Sequence, residues 1–190
     1  YIDNPYLVQD IIDQSLSALV SAIPILKTAP WVIECYDISN LSGKEAVGSL
    51  VCAVGGRITK AKYKKFKIKL KSTPDDFSML AEVLTRRLMK GIQGASNWEL
   101  PDLLIIDGGK GQVSTILEVL EKLELTIPVV GLAKKDERLI YHDGTSFVEV
   151  TLDRSNEGLK LAQRLRDEAH RFARAYHHKL RVKSIEDQKE

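Results

Sequence analysis

No apolar run in this chain approaches the roughly 20 residues that a bilayer-spanning helix needs. No succession of charged, apolar and small residues opens it as a signal peptide would. A soluble, unsecreted, cytoplasmic protein is therefore expected, with no membrane partner. Cysteine is scarce: Cys35 and Cys52 both lie inside apolar strand-like runs, which favours two buried free thiols over a disulfide or a zinc site. Neither sign of charge is in marked excess, and a net charge of +2 says nothing about partners, so only local charge patterns carry information. Repeats and low-complexity tracts are also absent from the sequence. What remains is a chain of 190 residues with 44% apolar content, enough to bury one good core.

Within that core two aspartates stand out, because each closes a short apolar run: WVIECYD ends at Asp37 and LLIID ends at Asp107. Both runs read as buried strands, so each carboxylate emerges at a strand end, where an open sheet places its chemistry. On adjacent strands the pair would form a site for a divalent cation. Carboxylate oxygens suit Mg²⁺ or Mn²⁺, and a clamp of this kind commonly serves phosphodiester hydrolysis.

The rest of the chain falls into elements around these runs. Leu7 to Ile23 has helical apolar spacing and is stopped by Pro24 and Pro30, giving a lead-in helix and linker over residues 1–30. After Asp37, the turn-rich Ser39, Asn40, Ser42 and Gly43 precede a strand from Ala46 to Val54, and Gly55-Gly56 reads as a tight hairpin into a third strand. That strand alternates Lys65, Lys67, Lys69 and Lys71 with Phe66, Ile68 and Leu70. Thr73 as cap and Pro74 at the first position then start a helix that Gly91 ends. Leu103 to Asp107 leads through Gly108 to Gly111 into a helix to about Leu123. Val129 to Ala133 follows as a strand, then a hairpin turning at Asp143-Gly144. Ser155 or Asn156 caps a long last helix to about Leu180, with a polar tail over 184–190. The predicted fold class is α/β: three antiparallel, hairpin-connected strands followed by alternating helices and strands, a mixed sheet with helices packed on it. That order is the ribonuclease H-like one.

The segments IECYDISNLSGKEAVGSLV, YKKFKIK, DDFSMLAEVLTRR, LPDLLIIDGGKGQ, PVVGLAKKDE and LRDEAHRFARAYHHKLR, in order and with spacing intact from Trp31 to Lys183, resemble the C-terminal endonuclease domain of UvrC. UvrC is the incision subunit of bacterial nucleotide excision repair. The resemblance implies a ribonuclease H-like endonuclease domain over residues 31–183. It also implies metal-dependent cutting of the damaged strand of double-stranded DNA on the 5′ side of a lesion, with damage recognition delegated to UvrB. By motif match the catalytic triad is Asp37, Asp107 and His170, with Asp76 of the DDF motif as an additional candidate. The two further parts of a full-length UvrC, a GIY-YIG nuclease module and a helix-hairpin-helix pair, have no counterpart here, so the chain is expected to be an excised domain. One departure is Gly158 near the start of the last helix, which bears only on where that helix begins.

Each residue also has a plainer reading. Asp37 alone fits a turn-initiating aspartate, and Asp76, three residues after Thr73, fits a capping box. The loop after Asp107 invites comparison with a phosphate-binding loop. DGGKGQVS, however, has neither the Walker A span and its Ser or Thr nor the dinucleotide glycine pattern, so no nucleotide cofactor is expected. Gly108 and Gly109 would instead let a DNA backbone approach. On a helical projection Leu161, Leu165, Glu168, Phe172 and Tyr176 form the core stripe. Gln163, Arg166, His170, Arg174 and His177 lie on a polar flank, which is either a solvated basic face or the site's own. Lys110, Arg166 and Arg174 are the DNA-binding candidates, and His142 and His178 remain unassigned. Arg57 to Lys71 carries eight Lys or Arg and no acid, the pattern of a protected sheet edge or of a phosphate-contacting strand. A triad whose third member is histidine carries less negative charge than three carboxylates, and His170 is either a third metal ligand or a proton-transfer group. Two alternatives stay open: a catalytically silent DNA-binding or scaffold domain of the same fold, and a nucleotide-binding enzyme built on the Gly108 to Gly111 loop.

Overall fold

The two runs that end in aspartate are neighbouring, parallel strands at the centre of one sheet. The computed structural model describes residues 5–41, 45–69, 75–133 and 136–186, with the side chains of residues 5, 39–41, 45 and 177 onward outside the description. In chain order the elements are α1 (Pro5–Ala22), β1 (Val32–Leu41), β2 (Glu45–Val54), β3 (Arg57–Ile58), a 3₁₀ turn (Lys60–Lys62), β4 (Lys64–Lys67), α2 (Asp76–Ile92), β5 (Leu103–Asp107), α3 (Lys110–Lys122), β6 (Val129–Ala133), β7 (Arg138–His142), β8 (Phe147–Val150) and α4 (Glu157–Glu186). The eight strands form a single sheet in the order β3-β2-β1-β5-β6-β7-β8, with β4 also pairing β2. Pairing is antiparallel for β1 with β2 and for the β6-β7-β8 meander, and parallel for β1-β5 and β5-β6. This is the mixed α/β arrangement expected from the element order.

The central strands are apolar on both sides because both faces are covered. Ile33, Cys35, Val51, Leu103 and Ile105 project toward α1 and α4, where they meet Leu16, Leu19, Leu159, Leu161, Leu165 and Ala169. On the other face, Tyr36, Leu50, Leu104 and Ile106 pack against Leu80, Val83 and Leu84 of α2 and Val113 and Ile116 of α3. Leu19 of α1 and Ile23 just beyond its end are completely buried, so the segment read as a lead-in helix packs as part of this core.

Several boundaries differ from the sequence reading, each for a local reason. The third strand is interrupted: Gly55 and Gly56, at φ 55° and 75°, turn the chain as expected, but the 3₁₀ turn separates β3 from β4. Helix α2 is capped by Asp75, whose Oδ1 accepts from the Ser78 amide at 2.6 Å. Thr73 and Pro74, like Leu70 and Lys71, lie outside the described residues. Gly91 does not end α2 but sits in its last turn, where a Cβ would come within 2.8 Å of the Trp98 carbonyl oxygen; the stop falls at Gly94, at φ 69°. The start of α4 is clear, with Asn156 Oδ1 accepting from the Leu159 amide. Gly158 in its first turn is dictated by packing, since a Cβ there would stand 2.6 Å from the Leu19 amide nitrogen of α1.

Candidate active site

Side chains alternate along a strand, so Asp37 projects to the same face as Ile33 and Cys35, and Asp107 to the same face as Leu103 and Ile105. That is the α4 face. The parallel register pairs Tyr36 with Ile106, which sets Asp37 and Asp107 side by side one residue further on, at the carboxyl ends of their strands. Helix α4 crosses above them and delivers His170, whose Nε2 stands 2.7 Å from Asp107 Oδ2 and 3.8 Å from Asp37 Oδ1. The three residues of the sequence-level triad, 63 positions apart between Asp107 and His170 alone, are thus brought together. The Asp107 side chain is only 5% exposed, while His170 at 30% keeps a route to solvent. Beneath them the Cys35 thiol is fully buried and pushed up, by burial first and then by Asp107 and Asp37.

Two adjacent carboxylates and an imidazole are donors that a divalent cation accepts, and the low exposure of Asp107 makes the added positive charge worth more than it would be in water. Among the described residues no group of three His, Cys, Asp or Glu side chains stands ready-formed as a metal cluster. The imidazole instead lies against Asp107 at hydrogen-bonding distance.

The other candidates are placed differently. Asp76 is the exposed first residue of α2. Phe77 beside it abuts Gly111 at the start of α3, on the sheet face opposite α4. The capping role assigned to Asp76 belongs to Asp75, whose carboxyl is held below its usual range by the Ser78 amide. Lys110 pairs with Glu149 at 2.9 Å. Arg166 is largely buried and clamped: Nη1 reaches both carboxylate oxygens of Glu137, at 2.9 and 3.0 Å, and Gln163 donates to the same carboxylate. Arg174 is exposed one turn beyond His170, its Nε directed at the His170 carbonyl at 3.4 Å. The polar flank of α4 is therefore docked through Gln163, Arg166 and His170. The core stripe also shifts: Glu168 leaves it to accept from the Tyr63 hydroxyl and from Arg171, and Ala169 and Ala173 take the buried positions. The side chains of His177 and His178 are outside the description. In the loop after Asp107, Gln112 Oε1 accepts from the Gly109 amide, so one donor that a phosphate-binding loop would offer is already matched. Gly108 is held close by the Gln112 side chain, whereas Gly109 faces open space.

Residues 22–173 match the family model of the UvrC RNase H endonuclease domain. The chain belongs to that family. It is 42% identical over 187 residues to the UvrABC system protein C of Fusobacterium nucleatum, covering 97% of this chain and 30% of that protein. To the protein of the same name in Methanococcoides burtonii it is 45% identical, covering 95% of this chain and again 30% of the relative. The chain spans under a third of the length of these UvrC relatives. Its fold is also that of endonuclease V from Ciona intestinalis, solved with a 23mer DNA containing an inosine followed by a ribo-adenosine. That likeness has a TM-score of 0.52 at 10% identity and covers 93% of this chain and 99% of that one. The sheet, its strand directions and the helices on both faces are thus those of a ribonuclease H-like endonuclease domain.

Two arrangements in this UvrC-family chain, one on each face of the sheet, were not singled out from its sequence. One is a row across the sheet, in which β2 sets Ser49 opposite Asp37 on one side and opposite Lys65 of β4 on the other. Lys65 caps the row, its ammonium 4.5 and 4.2 Å from the ring centres of Phe172 and Tyr176 on α4. The other lies on the opposite face of β1: Glu34 is buried against Arg87 of α2 at 2.6 Å and accepts from the Tyr36 hydroxyl at 2.5 Å. Its only sequence signal was a carboxylate inside an apolar strand.

Proposed function

We propose that this domain is a divalent-metal-dependent endodeoxyribonuclease that makes the 5′ incision beside a lesion in nucleotide excision repair, hydrolysing one phosphodiester of damaged double-stranded DNA in a complex with UvrB. The convergence of Asp37, Asp107 and His170 on one sheet face carries this reading. Asp37 and Asp107 would hold the cation, Mg²⁺ or Mn²⁺, which when bound supplies Lewis-acid polarisation of a phosphate oxygen and a lowered pKa for water. His170 is assigned proton transfer at the attacking water or the leaving oxygen. Its Nε2 is already oriented by Asp107, and its partial exposure lets it reach a group arriving from solvent. Arg174 would lie beside the incoming backbone as a phosphate contact, with Lys110 at the start of α3, paired with Glu149, as a weaker second. Asp76, exposed on the other face, is assigned no part in the central triad. A nucleotide cofactor is not invoked, and the cytoplasm is the compartment such a reaction implies.

The test is Asp37→Asn and Asp107→Asn in the full-length protein with UvrB and a lesion-bearing duplex. Each variant is expected to lose 5′ incision while 3′ incision, assigned to a separate module, persists. Wild-type 5′ nicking by either variant would leave the scaffold reading in its place.

A further inference from the structure

Ser49 is completely buried, and its hydroxyl has no hydrogen-bond partner among the described residues. Polar groups without partners are rare in protein interiors, because a buried hydroxyl that loses water without replacing it destabilises the fold. Neighbouring residues on β2 show where it points: Val51 and Ala53, of the same parity, face α4, whereas Leu50 and Cys52 face α2 and α3. Ser49 therefore faces the active-site side. The antiparallel register sets it directly opposite Asp37, and such pairs hold their Cβ atoms about 4.5–5.5 Å apart on a common face. A short side chain with an idle donor is thus fixed beside one of the two aspartates, in a place too buried for bulk water to satisfy it.

We infer that Ser49 is a positioning residue of the metal centre, an inference that rests on the reading of Asp37 as a metal ligand. When one carboxylate oxygen of Asp37 takes the cation, the Ser49 Oγ–H donates to the other. The hydrogen bond fixes the carboxylate rotamer and gives the idle hydroxyl its partner only in the loaded state. Groups that hold a metal ligand from behind in this way characteristically tune affinity without touching the ion.

The experiment is a Mn²⁺ titration of the 190-residue chain, following free Mn²⁺ by its paramagnetic resonance signal, together with melting curves in chelator. Ser49→Ala is expected to raise the Mn²⁺ dissociation constant about tenfold, and to melt in chelator at or above the parent temperature, because an unmatched buried hydroxyl has been removed. Asp37→Asn is the control. If Asp37→Asn weakens Mn²⁺ binding and Ser49→Ala does not, the positioning role is overturned and the metal reading stands. If Asp37→Asn leaves Mn²⁺ binding unchanged, the metal reading fails and the inference fails with it. A lower melting temperature in chelator for Ser49→Ala would show a structural hydroxyl and overturn the inference by itself.

Discussion

At the scale of single residues, carboxylates on the two central strands β1 and β5 are matched in two different ways. Asp107 and Asp37 meet a partly exposed imidazole, whereas Glu34 meets a buried guanidinium. Arg87 reaches Glu34 with two nitrogens and donates twice more, to the carbonyls of Trp98 and Glu99. Burial nevertheless dominates at Glu34 and pushes its carboxyl above the usual range, with Arg87 opposing. Arg87→Met should therefore cost about 3–5 kcal/mol, because a charge is left buried without its partner. The loss should depend on pH. Without Arg87 the opposition to burial at Glu34 falls to the Tyr36 hydroxyl and the more distant Lys62, so its folded-state pKa lies further above the unfolded value of about 4.3. Stability linked to a raised pKa is present below the unfolded value and lost as pH rises through the folded one. Urea unfolding of the variant and parent at about pH 4 and about pH 7 reads this directly: the deficit should shrink at the lower pH, and an equal deficit at both would mean that Glu34 is not the group responsible. Neither Glu34 nor Ser49 was legible in sequence, because each owes its meaning to a cross-strand or cross-layer neighbour. Asp37 and Asp107 were legible because strand termini betray themselves locally.

At the scale of elements, α1 and α4 approach so closely that one glycine decides their packing. A Cβ on Gly158 would meet the backbone of Leu19 at 2.6 Å and of Ala18 at 2.9 Å, and backbone cannot step aside as a flexible side chain can. Gly158→Ala should separate the helices and destabilise the chain by about 1–3 kcal/mol through overpacking, which at this length lowers the melting temperature by roughly 2–4 °C per kcal/mol. A scan showing no decrease would mean that the two helices are not in contact at that point in solution. The same contact explains what sequence reading could and could not supply. Periodicity located β5, α3 and β6 nearly to the residue, since each is bounded by glycine, proline or a charged turn. It misplaced the ends of α2, because Gly91 and Gly94 look alike until the φ of 69° at Gly94 and the crowding at Gly91 are seen. It also drew the α4 stripe through Glu168, whereas Ala162, Ala169 and Ala173 are among the buried positions of that helix.

For the molecule as a whole, a net charge of +2 conceals an uneven arrangement in which most of the basic side chains nearest the site already have partners. Arg166 is held by Glu137 and Asp167, and Lys110 by Glu149. Against the upward push of partial burial, the hydrogen bonds from Gln163 and Arg166 keep the Glu137 carboxyl below its usual range, so this clamp is intact at neutral pH and weakens only as pH falls through that lowered value. A clamped cation releases few counterions when DNA arrives, because its charge is already balanced by protein. Arg174, exposed beyond His170, keeps its charge available for the proposed DNA backbone. The two arginines, about two turns apart on the same flank, should therefore separate cleanly under mutation. Arg174→Ala should reduce the slope of log affinity against log salt by about one, uniformly across sequences, and leave stability within about 0.5 kcal/mol of the parent. Arg166→Ala should do the reverse, lowering stability by about 1–2 kcal/mol as a hydrogen-bonded charge pair is lost and leaving the salt slope unchanged. Duplex binding measured by anisotropy at several salt concentrations, beside a urea melt of each variant, decides between them. If Arg166→Ala flattens the slope while Arg174→Ala does not, DNA must enter over the Glu137 side of α4 and break the clamp to do so, and the backbone path proposed here past Arg174 would be wrong.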